Sequence, residues 1–194
     1  MEITWLGLSS LLINSRDKML LCNPYDLGHQ NHAPEINRAD IITFCKNGDS
    51  ERLNAPLNED VKLVNGPGEY EISNYYIAGI PTAIQEGLPS GGINTVYLIR
   101  SEGLVLCHLG LLSQRLAPNQ LELLRQTQIL IAPLGLKETL SFGEIQEIIS
   151  AIQPRIFIPL EYNTESNPAS SSKFLSDVGA ADIQPSNRLN VTET

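Results

Sequence analysis

The sequence predicts an α/β protein, a four-layer αββα sandwich in which two β-sheets pack face to face and helices cover them. Short apolar and β-branched runs bounded by turn residues occur in both halves of the chain, whereas helical patterns are concentrated in the second half. A length of 194 residues is enough for one domain with a substantial core. We therefore expect a single domain over residues 1–194.

Strands are predicted in the first half, because short runs of strand-forming residues alternate there with turn residues. The runs cover Ile3 to Leu6, Leu11 to Ile13, Met19 to Cys22, Ile41 to Cys45, Val61 to Val64 and Tyr75 to Ile80. Asn14-Ser15-Arg16-Asp17 is typical of a hairpin turn. Asn65-Gly66-Pro67-Gly68 predicts a stiff turn, since glycine permits positive φ and proline fixes its own φ.

The second half alternates strands with helices. Its predicted strands are Thr95 to Ile99, Leu104 to His108, Ile129 to Ala132 and Ile156 to Leu160. One predicted helix follows Pro118 through about Gln126, and another has Asn167 as its N-cap, Pro168 at its first position and Gly179 as its terminator.

The helix with the clearest signals lies between these two. Its apolar residues recur at helical spacing and are Phe142, Ile145, Ile148, Ile149 and Ile152. Ser141 with Glu144 three residues later forms a capping box, and Pro154 marks the end. A stripe of isoleucines at this spacing predicts that one helix face is buried against a sheet.

Composition and charge exclude several classes of function. Thirteen Lys and Arg against 22 Asp and Glu give a net charge of −9, which disfavours binding to nucleic acid or to anionic membranes. The three cysteines lack paired spacing, as expected in a reducing compartment. No signal peptide pattern and no apolar run of about 20 residues is present, so we expect a cytoplasmic protein without a membrane segment.

Eight short segments, spread over nearly the whole chain, occur in the same order as in a known protein family. They are Ile3-Thr4-Trp5-Leu6-Gly7, Asn23-Pro24-Tyr25, Ala39-Asp40-Ile41-Ile42-Thr43, Gly66-Pro67-Gly68-Glu69-Tyr70-Glu71, Gly79-Ile80-Pro81-Thr82, Asn94-Thr95-Val96-Tyr97, Cys107-His108-Leu109-Gly110 and Ile158-Pro159. In these the chain resembles the metallo-β-lactamase superfamily, especially its small metal-dependent hydrolases related to the ascorbate-6-phosphate lactonase. The resemblance implies the metallo-β-lactamase fold, a four-layer αββα sandwich.

The resemblance also implies where metal ligands would lie. The family has an HxHxDH motif after a strand, a third histidine after the GIPT segment, a bridging aspartate after HLG and a last histidine after the late IP segment. The matching positions in this chain are Lys46, Gly48, Ser50, Glu51, Ile84, Leu111 and Glu161. Leu8 also stands where many relatives have a histidine. Each of these positions has lost the family residue.

These substitutions predict that no tight dinuclear metal site is present and that no cofactor is bound. Zinc or manganese needs about three to five nitrogen or oxygen ligands. Isoleucine, leucine and glycine supply no side-chain donor, and Lys46 adds a like charge. Without a metal ion to lower the pKa of bound water, the chain cannot use the metal-dependent hydrolysis of the family.

For the histidines and for Cys45, the sequence allows a structural role and, as the alternative, a chemical one. We expect His108 to pack against its neighbours or to form hydrogen bonds. His29 and His32 are expected to lie in an exposed loop, and the alternative is that these two bind a metal ion. Cys45 is interpreted as a small buried residue that ends a strand. The alternative is a thiol whose pKa is lowered by the neighbouring Lys46.

A candidate polar cleft remains at the former motif. Its residues are Lys46, Asp49, Glu51, Glu161 and Tyr162, with Asn47 and Ser50 beside them. The family fold would bring Glu51 and Glu161 together, and two carboxylates there need a cation or a proton. The Lys46 ammonium is expected to replace the metal charge in a salt bridge, and the alternative is that these side chains are separately solvated.

The leading functional hypothesis is a protein of this fold that has lost its metal ligands and serves as a non-catalytic binding or assembly module. Its partner, a small molecule or a protein, is not identified by the sequence, and relatives often self-associate. The rival is a hydrolase of esters, lactones or phosphoesters that uses Mg²⁺, Mn²⁺ or Ca²⁺ through Asp49, Glu51 and Glu161. A third hypothesis is metal-free catalysis by Cys45 or by Lys46 with a glutamate.

Overall fold

The computed structural model describes residues 1–24, 33–46, 48–53, 57–84, 92–134, 139–160, 168–184 and 186–193. The strands are β1 (Glu2–Gly7), β2 (Ser10–Ser15), β3 (Lys18–Cys22), β4 (Ile41–Phe44), β5 (Lys62–Asn65), β6 (Gly68–Ile72), β7 (Tyr75–Ala83), β8 (Ile93–Ser101), β9 (Leu104–His108), β10 (Ile129–Pro133), β11 (Ile156–Leu160) and β12 (Arg188–Asn190). The α-helices are α1 (Ala33–Arg38), α2 (Pro118–Leu124), α3 (Phe142–Ile152) and α4 (Pro168–Asp177).

The first sheet has the strand order β12-β1-β2-β3-β4-β5. Strands β12, β1, β2 and β3 are antiparallel, and β3, β4 and β5 are parallel. The predicted hairpin turn joins β2 to β3, where Arg16 and Asp17 have φ of 48° and 64°. Positive φ at both central residues matches the right-handed twist of the flanking strands.

The second sheet has the order β11-β10-β9-β8-β7-β6. Strands β11, β10 and β9 are parallel, because helices connect them, and the remaining pairs are antiparallel hairpins. The Asn65-Gly66-Pro67-Gly68 turn carries the chain from β5 of the first sheet to β6 of the second, with φ of 117° at Gly66.

The two sheets pack face to face with helices on both outer faces, which confirms the predicted four-layer sandwich. Ile3 of the first sheet and Leu106 of the second share the buried core between the sheets. Ile36 of α1 packs on the outer face of the first sheet with Leu21 and Ile42. The outer face of the second sheet carries α3, from which Ile145, Ile148 and Ile152 are buried as predicted and Ile149 is partly buried.

The capping box of α3 is confirmed. Ser141 N donates to Glu144 Oε2 at 2.9 Å, and Glu144 N donates to Ser141 Oγ at 3.4 Å. The helix ends at Ile152, and Gln153 adopts a left-handed C-cap before Pro154. In α4 the terminator Gly179 has the expected positive φ of 73°, and Asn167 lies outside the described residues. None of the helices among these residues is long and apolar enough to cross a membrane.

The sequence interpretation differs from the structure in four elements. Strand β6 is not among the predicted strands, because its glycine and two glutamates mask its alternation, and it lies at a sheet edge. Helix α1 and strand β12 are too short to show a period, so they were missed. Helix α2 ends at Leu124 and not at about Gln126, because Arg125 N bonds Glu122 O in a tighter final turn.

Candidate functional site

The end of β4 in the first sheet meets the beginning of β8 in the second. Thr95 N donates to Cys45 O at 2.6 Å, and Lys46 forms an isolated antiparallel bridge with Asn94. The Tyr97 hydroxyl donates to Phe44 O at 2.8 Å. The two sheets are therefore joined by hydrogen bonds at the end of the sandwich where the sequence places the candidate cleft.

Five buried polar or thiol residues form the centre of this contact, and we call them the polar junction. They are Ser9, Asn23, Cys45, Asn94 and His108. Each lies at or just beyond the end of a strand, except Asn94, which lies near the beginning of β8. Polar side chains buried at this depth require hydrogen-bond partners, and each of the five has one.

Asn94 binds three other segments through its side-chain amide. Its Nδ2 donates to Thr82 Oγ1 at 2.8 Å and to Leu109 O at 3.1 Å. Its Oδ1 accepts from Leu111 N at 2.7 Å. Because Lys46 is bridged to the same residue, Asn94 brings together the predicted positions Lys46 and Leu111 and the end of β7.

His108 is neutral and uses both of its ring nitrogens. Nδ1 accepts from Gly110 N at 3.0 Å, so the proton lies on Nε2, which donates to Ser9 O at 3.3 Å. Burial lowers the pKa of His108 from 6.5 to about 4. The prediction of a hydrogen-bonded role for this histidine is confirmed.

Asn23 connects the β1–β2 turn to the ends of β3 and β4. Its Nδ2 donates to Ser9 Oγ at 2.7 Å, and its backbone N donates to Thr43 O at 2.8 Å. Its Oδ1 accepts from Cys45 N at 3.4 Å. The left-handed φ of 52° at Asn23 is one that asparagine tolerates better than most residues.

The thiols at this end of the molecule are protonated at neutral pH. Cys45 is 1% exposed, and burial, followed by the charges of neighbouring groups, raises the pKa of its thiol well above the usual value. Burial also raises the pKa of Cys22 and Cys107 to about 12. Cys45 is therefore the small buried residue that the sequence predicts, and Lys46 does not activate it. The thiol lies 3.5 Å from His108 Nδ1, a contact that sequence reasoning missed.

The described residues after Cys45 differ in their exposure. Asp49 is buried in a short 3-10 helix (Asp49–Arg52), and Glu51 in the same helix is exposed. Ser50 Oγ accepts from Asn65 Nδ2 at 2.9 Å, which ties this helix to the end of β5. Lys46 is half-buried, and within the described part of the chain no ion pair joins it to Glu51.

Five residues singled out for the candidate site lie outside the described residues. They are Glu161 and Tyr162 of the candidate cleft, Asn47 beside it, and His29 and His32. The expected pairing of Lys46 with Glu161 stays a prediction.

The side chains present do not fit a dinuclear transition-metal centre in the described part of the chain. Ile84 is buried with 5% exposure and Leu111 is half-buried, and neither carries a donor. The Nδ1 lone pair of His108 already accepts a hydrogen bond from Gly110 N. The Cys45 thiol is protonated and so is not a thiolate ligand. Across those residues, no three His, Cys, Asp or Glu side chains come close enough together to hold a metal ion.

Sequence reasoning missed the residues that build the junction itself. Asn23 and Asn94 stand in segments that carry the family resemblance, but neither belongs to its ligand motifs. The signal that could have found them is an asparagine at the end or beginning of an otherwise apolar strand. A polar residue at such a boundary is typical of side chains that bond neighbouring backbone groups.

Comparison with known proteins identifies the same family by sequence. The profile described as beta-lactamase superfamily domain matches residues 2–161. A metal-dependent hydrolase of Methanosarcina mazei is 23% identical, with 84% of each chain covered. A metal-dependent hydrolase of Archaeoglobus fulgidus is 24% identical, again with 84% of each chain covered.

Solved structures share the fold at lower identity. A metallo-β-lactamase superfamily protein of Thermotoga maritima has a TM-score of 0.73 and 24% identity, and the match covers 98% of this chain and 91% of that one. A metallo hydrolase of Ignicoccus hospitalis has a TM-score of 0.66 and 14% identity, with 98% and 99% covered. At these identities the likeness shows the fold alone.

Proposed function

Because the chain belongs to the metallo-β-lactamase superfamily, we propose that it is a member that has lost its metal ligands and acts as a non-catalytic binding or assembly module. The observation that carries this proposal is the chemistry of the side chains at the positions where the resemblance implies metal ligands. At the positions where the resemblance implies ligands, the chain has Lys46, Ile84 and Leu111, which offer a cation and two hydrocarbon side chains.

Three of the four remaining ligand positions support the same conclusion, and the fourth, Glu161, lies outside the described residues. Gly48 has no side chain, and its φ of 87° serves the turn into the 3-10 helix. Ser50 is bonded to Asn65, and the Glu51 carboxylate is exposed. Among the described ligand positions Glu51 is thus the one carboxylate, and a carboxylate in water binds a transition metal too weakly to keep it without further ligands.

Side-chain hydrogen bonds join the strand ends at this site. A metal centre can join segments from several strands because it binds one side chain from each. In this chain the Asn94 amide joins β7, β8 and the segment after β9, and His108 joins β9 to the β1–β2 turn. We propose that these hydrogen bonds preserve the shape of the cleft, which then serves binding.

The proposed binding groups are the side chains that the sequence places around this cleft. They are Lys46, Asp49, Glu51, Glu161 and Tyr162. The rival proposal is a hydrolase that uses a hard cation held by the three carboxylates of this set. It is favoured by the two sequence relatives, which are named metal-dependent hydrolases. The buried position of Asp49 is compatible with either function.

Metal content decides between the two functions. Protein purified without chelator should contain less than about 0.1 equivalent of zinc, manganese or iron per chain, measured by inductively coupled plasma mass spectrometry beside the Archaeoglobus fulgidus relative. EDTA should leave Tm unchanged, since no stabilising ligand is removed. About one tightly held metal ion per chain would contradict the proposal.

Activity assays complete the test. Esters, lactones and phosphodiesters should not be hydrolysed faster than in a buffer blank, with or without added Mg²⁺, Mn²⁺ or Ca²⁺. Hydrolysis that requires one of these ions and is lost in Glu161→Gln would establish the rival function. A matched substitution, Glu122→Gln on the exposed surface of α2, should have no effect on either measurement.

A further inference from the structure

We propose that the outer edge of strand β6 is a docking site for an extended segment of a partner protein, in which basic residues alternate with apolar ones. The segment adds one more strand to the second sheet. The β6 edge comprises Gly68–Ile72 and runs along the side of the sandwich, whereas the candidate cleft lies at the strand ends. The inference therefore does not depend on whether the cleft holds a metal ion.

The direction of the backbone groups of β6 follows from its hairpin with β7. The two residues Ser73 and Asn74 form the turn, Ser73 has φ of 56°, and Ile72 is paired with Tyr75. Such a turn is closed by hydrogen bonds between the two residues that flank it. Along an antiparallel pair, residues that exchange both backbone bonds alternate with residues that exchange none. Every second residue of β6, counted from Ile72, is therefore bonded to β7.

Glu69 and Glu71 are the residues of β6 that lie between these bonded positions. Their backbone N–H and C=O groups point away from β7, towards the open side of the sheet. Strand β6 is the last strand of the second sheet in the described part of the chain. Outward N–H and C=O groups on an edge strand are the groups that pair with an added strand.

The side chains of the β6 edge are acidic on one face of the sheet and apolar on the other. Glu69 and Glu71 are exposed and share a face, because they stand two positions apart in a strand. Tyr70 and Ile72 are on the opposite face, where they are partly buried against the core between the sheets. An added strand places alternate side chains beside these two surfaces, so basic and apolar residues in alternation complement them.

The edge carboxylates act on the face of the sheet beside them. Desolvation, followed by the charge of Glu69 and a hydrogen bond with its carboxylate, raises the pKa of the Tyr76 hydroxyl. The Arg100 guanidinium lies 5.2 Å from the centre of the Tyr76 ring and donates to Gln126 Oε1 at 2.7 Å. This arginine is thus engaged with Tyr76 and Gln126, and the side chains of Glu69 and Glu71 are exposed to a partner.

A second copy of the chain does not fit this edge. Two β6 strands paired antiparallel about a two-fold axis place a glutamate of one copy directly opposite a glutamate of the other. Like charges directly opposite each other destabilise a strand pair, and charged residues keep exposed edges apart. The net charge of −9 adds to the repulsion between copies. We therefore assign the edge to a different, basic chain.

The other sheet edges in the described part of the chain do not offer the same combination. Strand β5 has the exposed Lys62, and β12 has Arg188, which lies 3.5 Å from Glu2 in an ion pair. Strand β11 contains Pro159, which has no N–H to donate. Basic side chains repel a basic segment. Charge complementarity therefore favours β6 over these edges.

The probe is the peptide acetyl-Lys-Val-Lys-Val-Lys-Val-amide with a fluorescein label, and the control peptide has glutamate in place of lysine. Fluorescence anisotropy with the full chain at low ionic strength should show saturable binding of the lysine peptide, with a Kd of about 100 μM or tighter. The glutamate peptide should not bind. Methylation of the lysine backbone nitrogens keeps the charges and removes the N–H groups that face Glu69 and Glu71, so it should abolish binding.

Variants of the edge test the carboxylates. Glu69→Gln with Glu71→Gln should weaken binding about fivefold, because two exposed ion pairs are lost. Glu69→Lys with Glu71→Lys should transfer the preference to the glutamate peptide. The matched control is Asp177→Asn with Asp182→Asn, which removes the same charge from exposed positions at and after the end of α4 and should leave the affinity unchanged. Circular dichroism checks that each variant is folded.

Amide hydrogen exchange measured by nuclear magnetic resonance tests the backbone pairing. Exchange at the N–H groups of Glu69 and Glu71 should slow when the lysine peptide is bound, because both become donors to it. A peptide held by charge alone leaves their exchange unchanged.

Any of four results would overturn the docking site. They are no saturable binding up to about 1 mM, equal affinity in wild type and in the double glutamine variant, equal binding of the methylated peptide, and unchanged exchange at Glu69 and Glu71 in the complex. A lysine-peptide preference that survives the charge reversal would also contradict it. Metal content and hydrolysis are separate measurements, so a metal-bound or active protein would contradict the proposed function of the cleft and leave the β6 site standing.

Discussion

Replacing Asn94 by alanine should destabilise the protein strongly, because this one amide joins three segments of the candidate site. The side chain is fully buried and makes bonds of 2.8, 3.1 and 2.7 Å to Thr82, Leu109 and Leu111. Alanine removes both donors and the acceptor. The carbonyl of Leu109 and the N–H of Leu111 then lose these partners.

The magnitude follows from the number and burial of these bonds. A buried hydrogen bond contributes about 1 kcal/mol net, and leaving a buried partner unsatisfied raises the cost to about 1–3 kcal/mol. We expect Asn94→Ala to lower the free energy of unfolding by about 3–5 kcal/mol. That is a large part of the roughly 5–15 kcal/mol that stabilises a typical domain.

Urea denaturation followed by far-ultraviolet circular dichroism measures the change. The control is Asn190→Ala, an exposed asparagine in the edge strand β12, which should change the free energy of unfolding by less than about 0.5 kcal/mol. If Asn94→Ala does not fold, Thr82→Val removes the bond from Asn94 Nδ2 and the bond that Thr82 Oγ1 donates to Asn94 O, and should cost about 1–2 kcal/mol. A loss below about 1 kcal/mol in Asn94→Ala, comparable with the control, would refute the account of the junction.

Two further predictions concern the ionisable groups of the junction. Because burial lowers the pKa of His108 from 6.5 to about 4, the unfolded chain takes up a proton between these pH values and the folded protein does not. The free energy of unfolding should therefore fall by up to about 3 kcal/mol from pH 6.5 to pH 4, and in His108→Gln the loss over this range should be smaller. Cys22, Cys45 and Cys107, whose pKa values burial raises, should not react with a disulfide reagent at pH 8 in the native state and should all react in denaturant. Rapid modification of one thiol in the folded protein would show that it is accessible and ionised.

The elements with strong local signals were predicted correctly. The isoleucine stripe and capping box of α3 depend on side chains within one or two turns of each other, so the sequence contains all the information needed. Strand β6 contains a glycine and two exposed glutamates, and it becomes a strand because it pairs with β7. The local composition of β6 does not indicate that pairing.

In the candidate site, too, some features can be predicted from the sequence and others depend on the tertiary structure. The identities of Lys46, Ile84 and Leu111 are properties of the sequence, and together with the family resemblance they predict that metal ligands are missing. The roles of Asn94 and His108 depend on bonds to residues far away in the chain, such as the contact of His108 with Ser9 across 99 positions. Such bonds exist only after the strands have paired.

By itself the sequence determined the class of fold, the register of apolar and polar residues along most strands, and the residue type at each position where the resemblance implies a metal ligand. Those features follow from local periodicity and residue type and, for the sandwich topology and the ligand positions, from what the family resemblance implies. Only the tertiary structure decided which polar groups are buried and which partners satisfy them, and hence that Cys45 is inert and that His108 is neutral. The reason is physical: a pKa and the strength of a hydrogen bond depend on removal from water, and burial is a property of the packed sheets rather than of the residue.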